Sequence, residues 1–161
     1  NKNLNDSKKL TDKKRYILRT EIEKEALAWA VGIVDHTIID KINILNASIL
    51  SMQQALEKLT IQPEFIIIDG NRFKPYKSVP FECIVKGDGK YLSIAAASIL
   101  AKTYRDDFMI NLHHEFPHYG WDINKGYPTK KHRSAIIKYG ISPHHRRSFN
   151  LLQQFELQFD E

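Results

Sequence analysis

A chain of 161 residues, 42% hydrophobic and 27% charged, has the size and apolar content of one globular domain with its own core. Its 24 Lys/Arg against 19 Asp/Glu leave a net charge of +5 and a pI near 9.2, which favours an anionic partner and carries no information on fold. A single cysteine, Cys83, excludes an internal disulfide and argues against a structural zinc site. No 18-residue apolar run and no signal pattern occur, so the reading is a cytoplasmic protein without a membrane partner.

In chain order, Thr11-Asp12 starts a predicted helix to about Leu27, with Leu18, Ile22 and Ala26 on one side. Ala28 to Val34 reads as a small apolar strand. Ile38, Ile42, Leu45, Ile49, Met52 and Leu56 step by four and three, a core-facing helix stripe with a break near Asn43. After Pro63, the run Phe65-Ile66-Ile67-Ile68 closes on Asp69-Gly70, a buried strand that delivers a carboxylate to a sheet edge. Phe81 to Val85 is a further strand, closed by Lys86-Gly87-Asp88-Gly89. Ser93 caps a predicted alanine-rich helix whose Ile94, Ala97, Ala101, Tyr104 and Phe108 face the core and which carries Asp106. Pro117, Gly120, Gly126 and Pro128 mark a loop, and a short helix around Lys130 to Tyr139 ends at Gly140. Strand and helix alternate, so the class is α/β. Three strands are few for so much helix, which suggests that further sheet partners belong to the protein.

Two acids ending rigid elements of a basic chain suggest a divalent-metal site acting on phosphate. The plain alternatives are a local strand-end hydrogen bond for Asp69 and a surface pair with Lys102 for Asp106. Asp107 is the rival of Asp106. Successive helical side chains diverge by about 100°, so only one of the two can face the Asp69 strand. From Lys125 to Arg147 there are seven Lys/Arg, three His and no acid, a phosphate-facing surface or simply a solvated one. His113-His114 and His144-His145 lack ligand spacing and read as surface or phosphate-side residues.

Seven blocks carry a resemblance: Asp6-Ser7-Lys8-Lys9-Leu10, Ile68-Asp69-Gly70-Asn71-Arg72, Lys86-Gly87-Asp88, Ser93 to Lys102, Arg105-Asp106, Lys125-Gly126-Tyr127-Pro128-Thr129-Lys130 and His145-Arg146-Arg147-Ser148-Phe149. In order and spacing they resemble bacterial ribonuclease HII, a type 2 ribonuclease H, over roughly Leu4 to Phe149. The resemblance implies a ribonuclease H-like fold, a mixed sheet with flanking helices in a single domain over 1–161, with the helical, basic segment from about 110 packed on it. It implies cleavage of RNA in RNA–DNA hybrids, including single ribonucleotides embedded in duplex DNA, with two Mn²⁺ or Mg²⁺ ions held by four carboxylates. Asp69 and Asp106 match two of these, with Asp106 chosen over Asp107 by the motif register. Tyr127 matches the tyrosine beside the RNA–DNA junction. Ser7, Lys8, Lys86, Ser93, Arg146 and Arg147 are candidate phosphate contacts.

The family's first-strand Asp-Glu pair followed by a Gly-Arg-Gly turn, which reads the ribose 2′-hydroxyl, does not occur in this sequence, whose one Asp-Glu dipeptide is the terminal Asp160-Glu161. The expectation is an intact enzyme of which this sequence is an incomplete part, whereas a true fragment would be inactive. The rival readings are a non-catalytic hybrid- or duplex-binding module and another metal nuclease on the same fold. Gln154 to Phe159 loosely resembles a sliding-clamp docking peptide, with an amphipathic terminal segment as the better reading, and a monomer is expected.

Overall fold

The structure is a computed structural model that describes residues 10–149. The chain packs as two compact units. One comprises residues to 34 and 45–104, the other 35–44 and the chain from 105 onward.

In the first unit, α1 (Asp12–Glu25) begins where Thr11 Oγ1 accepts from the Lys14 amide at 3.4 Å. Leu18 and Ile22 are buried as expected, but the helix stops two residues short of Leu27, and Leu27 is 92% exposed. The segment Ala28–Val34 pairs in no ladder among the described residues, contrary to the predicted strand. It lies instead along a helix. A Cβ on Gly32 would sit 1.8 Å from the Ser51 carbonyl oxygen, and Lys58 Nζ donates to the Val31 carbonyl at 3.2 Å. An apolar run of this length fits a helix flank as well as a sheet, and the missing side chain at Gly32 selects the flank.

That helix is α2 (His36–Lys58), interrupted at Asn43 (φ 65°, ψ 166°) as the sequence pattern suggests. Asp35 caps its start, accepting from the amides of Thr37 and Ile38 at 2.8 and 3.0 Å. Beyond the break, Ile49 is buried, and Met52 and Leu56 pack on Ile66, Ile68 and Tyr76. Leu45, directly after the break, is exposed.

Strands β1 (Ile66–Asp69) and β2 (Phe81–Ile84) pair in parallel, with Ile66 opposite Phe81 and Asp69 opposite Ile84. They form the whole sheet among the described residues. A 3₁₀ turn at Gly87–Gly89 leads into α3 (Leu92–Glu115), which runs through both units. This helix starts one residue before the expected cap, so Ser93 lies in its first turn. Its buried face also differs from the expected stripe. Ala95, Ile99, Leu100 and Thr103 are buried with Ile94, while Ala97, Ala101 and Phe108 are exposed. Alanine marks helical faces weakly, and the bulk of Ile99 and Leu100, packed on Leu18 and Ile22, decides the orientation.

In the second unit, α3 continues into a 3₁₀ turn (Pro117–Tyr119), α4 (Trp121–Asn124) and α5 (Lys130–Tyr139). Thr129 Oγ1 caps α5 by accepting from the His132 amide at 3.2 Å, and Gly140 ends it at φ 78°. Leu112, Tyr119, Trp121, Ala135 and Ile136 form the core, with Met109 and Phe116 against them.

Candidate active site

Asp69 ends β1, the position the sequence predicts. Ile66 and Ile68 anchor the strand inward while Asp69 stays exposed. Its Oδ1 accepts from the Gly87 amide at 2.9 Å, and the Gly70 amide bonds to the Ile84 carbonyl at 3.0 Å. The carboxylate is thus held through one of its oxygens by the turn that follows the neighbouring strand. The turn has little slack. Lys86 occupies a left-handed conformation (φ 57°), and a Cβ on Gly87 would meet Ile94 Cδ1 at 2.6 Å. Lys86 and Ser93 are exposed, whereas Asp88 is buried within the turn.

Asp106 lies in the interior of α3, in the second unit, and not at the end of a rigid element as expected, because the helix runs on to Glu115. It is 8% exposed, more buried than its neighbour Asp107. A carboxylate this buried is held by interactions rather than by water. Arg105, beside it, reaches over the loop that follows α4. Its Nη2 donates to the Lys125 carbonyl at 2.9 Å, and its guanidinium lies 4.9 Å from the Tyr127 ring centroid. The loop is tight. Lys125 and Gly126 are left-handed (φ 48° and 80°), Asn124 Oδ1 accepts from the Gly126 amide at 2.8 Å, and a Cβ on Gly126 would meet Met109 at 3.2 Å. Tyr127 is 61% exposed, an aromatic face turned to solvent on a fixed turn.

Arg146 and Arg147 lie after the core, Arg147 exposed and Arg146 4.9 Å from the Phe149 ring. His145 corrects the sequence reading: it is a core residue, 7% exposed. Its ring stacks on the buried His132 at 5.3 Å and 14°. Its Nδ1 accepts from the Ser142 amide at 2.9 Å, and Nε2 is buried without a hydrogen-bond partner. Burial, and secondarily the neighbouring His132, lowers its pKa to about 4. Pattern reading missed this histidine because the rings that bury it, Tyr119, Trp121 and His132, come from other elements.

Ser7 and Lys8, and the clamp-like Gln154 to Phe159, lie outside the described residues. Asp69, Lys86 and Ser93 belong to the first unit. Asp106, Tyr127, Arg146 and Arg147 belong to the second. The sequence reading singled out neither Arg105 as an anchor nor Asn124 as a brace, although the turn Asn124-Lys125-Gly126 signals a backbone that needs one. Carboxylate oxygens suit a hard divalent cation. Among the described residues no group of three or more His, Cys, Asp or Glu is assembled to hold one. Likewise, none of the described helices is long and apolar enough to cross a membrane.

Carboxylates on a strand end and a helix, in a helix-rich α/β chain with a one-signed basic segment, are the features of a metal-dependent nuclease. The comparisons with known proteins narrow the class. Residues 1–152 match the family model for ribonuclease HII. Ribonuclease HII of Bacteroides thetaiotaomicron is 61% identical over 157 residues, covering 98% of this chain and 78% of that protein. That of Parabacteroides distasonis is 63% identical over 154 residues, covering 96% and 77%. The crystal structure of ribonuclease H2 from Pyrococcus horikoshii OT3 superposes with a TM-score of 0.77 at 25% identity, covering 98% of this chain and 82% of that one. The chain belongs to the ribonuclease HII family, whose members are metal-dependent endoribonucleases.

Proposed function

We propose that this protein hydrolyses the RNA strand of RNA–DNA hybrids, and the bond beside single ribonucleotides in duplex DNA, as a monomeric two-metal endonuclease. The observation that carries the reading is Asp69, an exposed carboxylate at the end of a buried strand, oriented by the Gly87 amide, in a chain of this family.

Asp69 and Asp106 are the described ligands, each offering carboxylate oxygen to Mg²⁺ or Mn²⁺. When bound, such ions activate water and stabilise the leaving oxygen of an in-line displacement. The residues themselves do the positioning. The Gly87 amide fixes the rotamer of Asp69, and Asp106 is held by burial on a 24-residue helix. Tyr127, braced by Arg105, offers its ring to a sugar beside the scissile bond. Lys86, Ser93, Arg146 and Arg147 contact phosphates, which set affinity and register without reading sequence. A contact to the 2′-hydroxyl supplies discrimination against DNA.

The test is cleavage of a duplex containing one ribonucleotide, with Mg²⁺ or Mn²⁺, using the full protein. Asp69→Asn and Asp106→Asn should each lower the rate by about 10³-fold or more while hybrid binding persists. Asp107→Asn should cost far less. Equal losses at 106 and 107 would overturn the assignment of Asp106, and cutting of an all-DNA duplex would overturn the substrate.

A further inference from the structure

Asp40 lies on the first limb of α2, before the break at Asn43, and forms a long-range contact within the second unit. Its carboxylate accepts from the Arg147 amide at 2.8 Å, the Ser148 amide at 3.3 Å and the Ser148 hydroxyl at 2.5 Å. Two successive amides converge on one acid from the opposite part of the chain. The same segment is tied upstream, where the His145 amide donates to the Ser142 carbonyl at 3.2 Å and the His144 amide to Ser142 Oγ at 3.1 Å. Arg146 therefore sits between two anchored points. The segment ends the acid-free run from Lys125 to Arg147, so its negative partner comes from elsewhere in the chain.

The choice of donors is informative. Asp40 binds main-chain amides and a hydroxyl, which shape the backbone, rather than taking a guanidinium into a bidentate pair, which would occupy the arginine head. The Ser148 hydroxyl first, and the Arg147 amide next, hold its carboxyl below the usual carboxylate range, so it stays ionised at neutral pH.

We propose that Asp40 is a positioning residue for nucleic-acid binding: it fixes the Arg147–Ser148 backbone so that Arg146 and Arg147 present their guanidinium groups to the phosphates of a bound hybrid. This rests on reading the two arginines as phosphate contacts. Held arginines lose less freedom on binding than mobile ones, so the effect belongs to affinity and not to the chemical step.

The experiment measures anisotropy of a labelled RNA–DNA hybrid over a range of salt, in the full protein carrying Asp69→Asn to prevent cutting. Arg146→Ala with Arg147→Ala should reduce the slope of log K against log salt by about two, one for each lost phosphate contact. Asp40→Ala should reduce it by about one and weaken binding ~10-fold at moderate salt. With Asp69 restored, kcat at saturating substrate should change less than about twofold. Adding Asp40→Ala to the double arginine variant should cause no further loss. Should Asp40→Ala fail to fold, Ser148→Ala removes the hydroxyl bond alone and should weaken binding about twofold. If the arginine variant binds like the parent, the phosphate reading falls and the proposal with it. If the arginine variant weakens but Asp40→Ala and Ser148→Ala lower only Tm, with slope and affinity intact, Asp40 is a structural latch and the proposal alone is overturned.

Discussion

The two units are built from different core chemistries. In the first, Leu18, Ile22, Ala95, Ile99 and Leu100 make one aliphatic cluster, and Ile66 and Ile68 anchor a second. In the second, Tyr119 and Trp121 stack at 5.0 Å, and around them lie His132, His145, Ser142 and Asn124, all buried. Aliphatic packing makes no demand on protonation. The aromatic core makes several. Tyr119 donates its hydroxyl to the Gly140 carbonyl at 2.8 Å, its own carbonyl accepts from Asn124 at 2.7 Å and faces His132 Nδ1 at 3.1 Å, and His145 must remain neutral. Short helices and loops cannot bury a continuous apolar stripe, so large rings and satisfied polar groups take its place.

The most severe probe of this contrast is Trp121→Ala, expected to cost about 3–5 kcal/mol because it removes the ring on which Tyr119, Phe116 and His145 rest. Ile99→Ala in the aliphatic cluster should cost about 2–5 kcal/mol. Denaturant unfolding at two pH values separates them, since only the aromatic core should weaken further in acid. The sign follows from His145. Its folded pKa of about 4 lies below the ordinary 6.5, so between these values the unfolded chain binds more protons and stability falls as pH falls. The loss is roughly 3 kcal/mol on going below pH 4. His145→Gln should flatten the Tm profile between pH 6.5 and 4, and an unchanged profile would show that this histidine is not the acid-sensitive group.

A smaller effect is expected at Asn43, whose φ of 65° and ψ of 166° belong to glycine's range. Asn43→Gly should stabilise by about 1 kcal/mol in thermal unfolding, and a lowered Tm would show that this backbone conformation costs asparagine nothing. The smallest change concerns the Tyr127 loop. Arg105→Met removes both the bond to the Lys125 carbonyl and the cation over the ring. It should raise KM a few-fold, about 1 kcal/mol or less, with Arg105→Lys restoring only part because one ammonium cannot hold both contacts.

How much of this was legible in the sequence varies with the range of the interactions. The span and end of helix α5 were readable, because Gly140 is a local stop signal, while the Thr129 cap at its start was not singled out. The Asp69 strand and the Asn43 break were equally local. The segment 28–34 was misread, since its partner is a helix and not a strand, and Gly32's close approach to Ser51 involves residues 19 apart. The face of α3 was misread at Ala97, Ala101 and Phe108, the alanines fitting either side, whereas Ile94 and Tyr104 pack inward as expected. At the site, the strand-end carboxylate was visible and the block register chose Asp106. The Gly87 amide that holds Asp69 and the Arg105 brace on Tyr127 depend on contacts 18 and 20 residues apart, which no local pattern encodes. The burial of His145 was hidden for the same reason.

The bond between Asp40 and Ser148 spans 108 residues. On a ribosome adding about 5–20 residues per second, the first limb of α2 emerges roughly 5–20 s before its partner exists. Residues 45–104, by contrast, meet most of their own unit as they appear. The second unit is therefore the last to acquire its contacts during synthesis, and for that interval an acid-capped stub of helix waits for the basic segment that completes it.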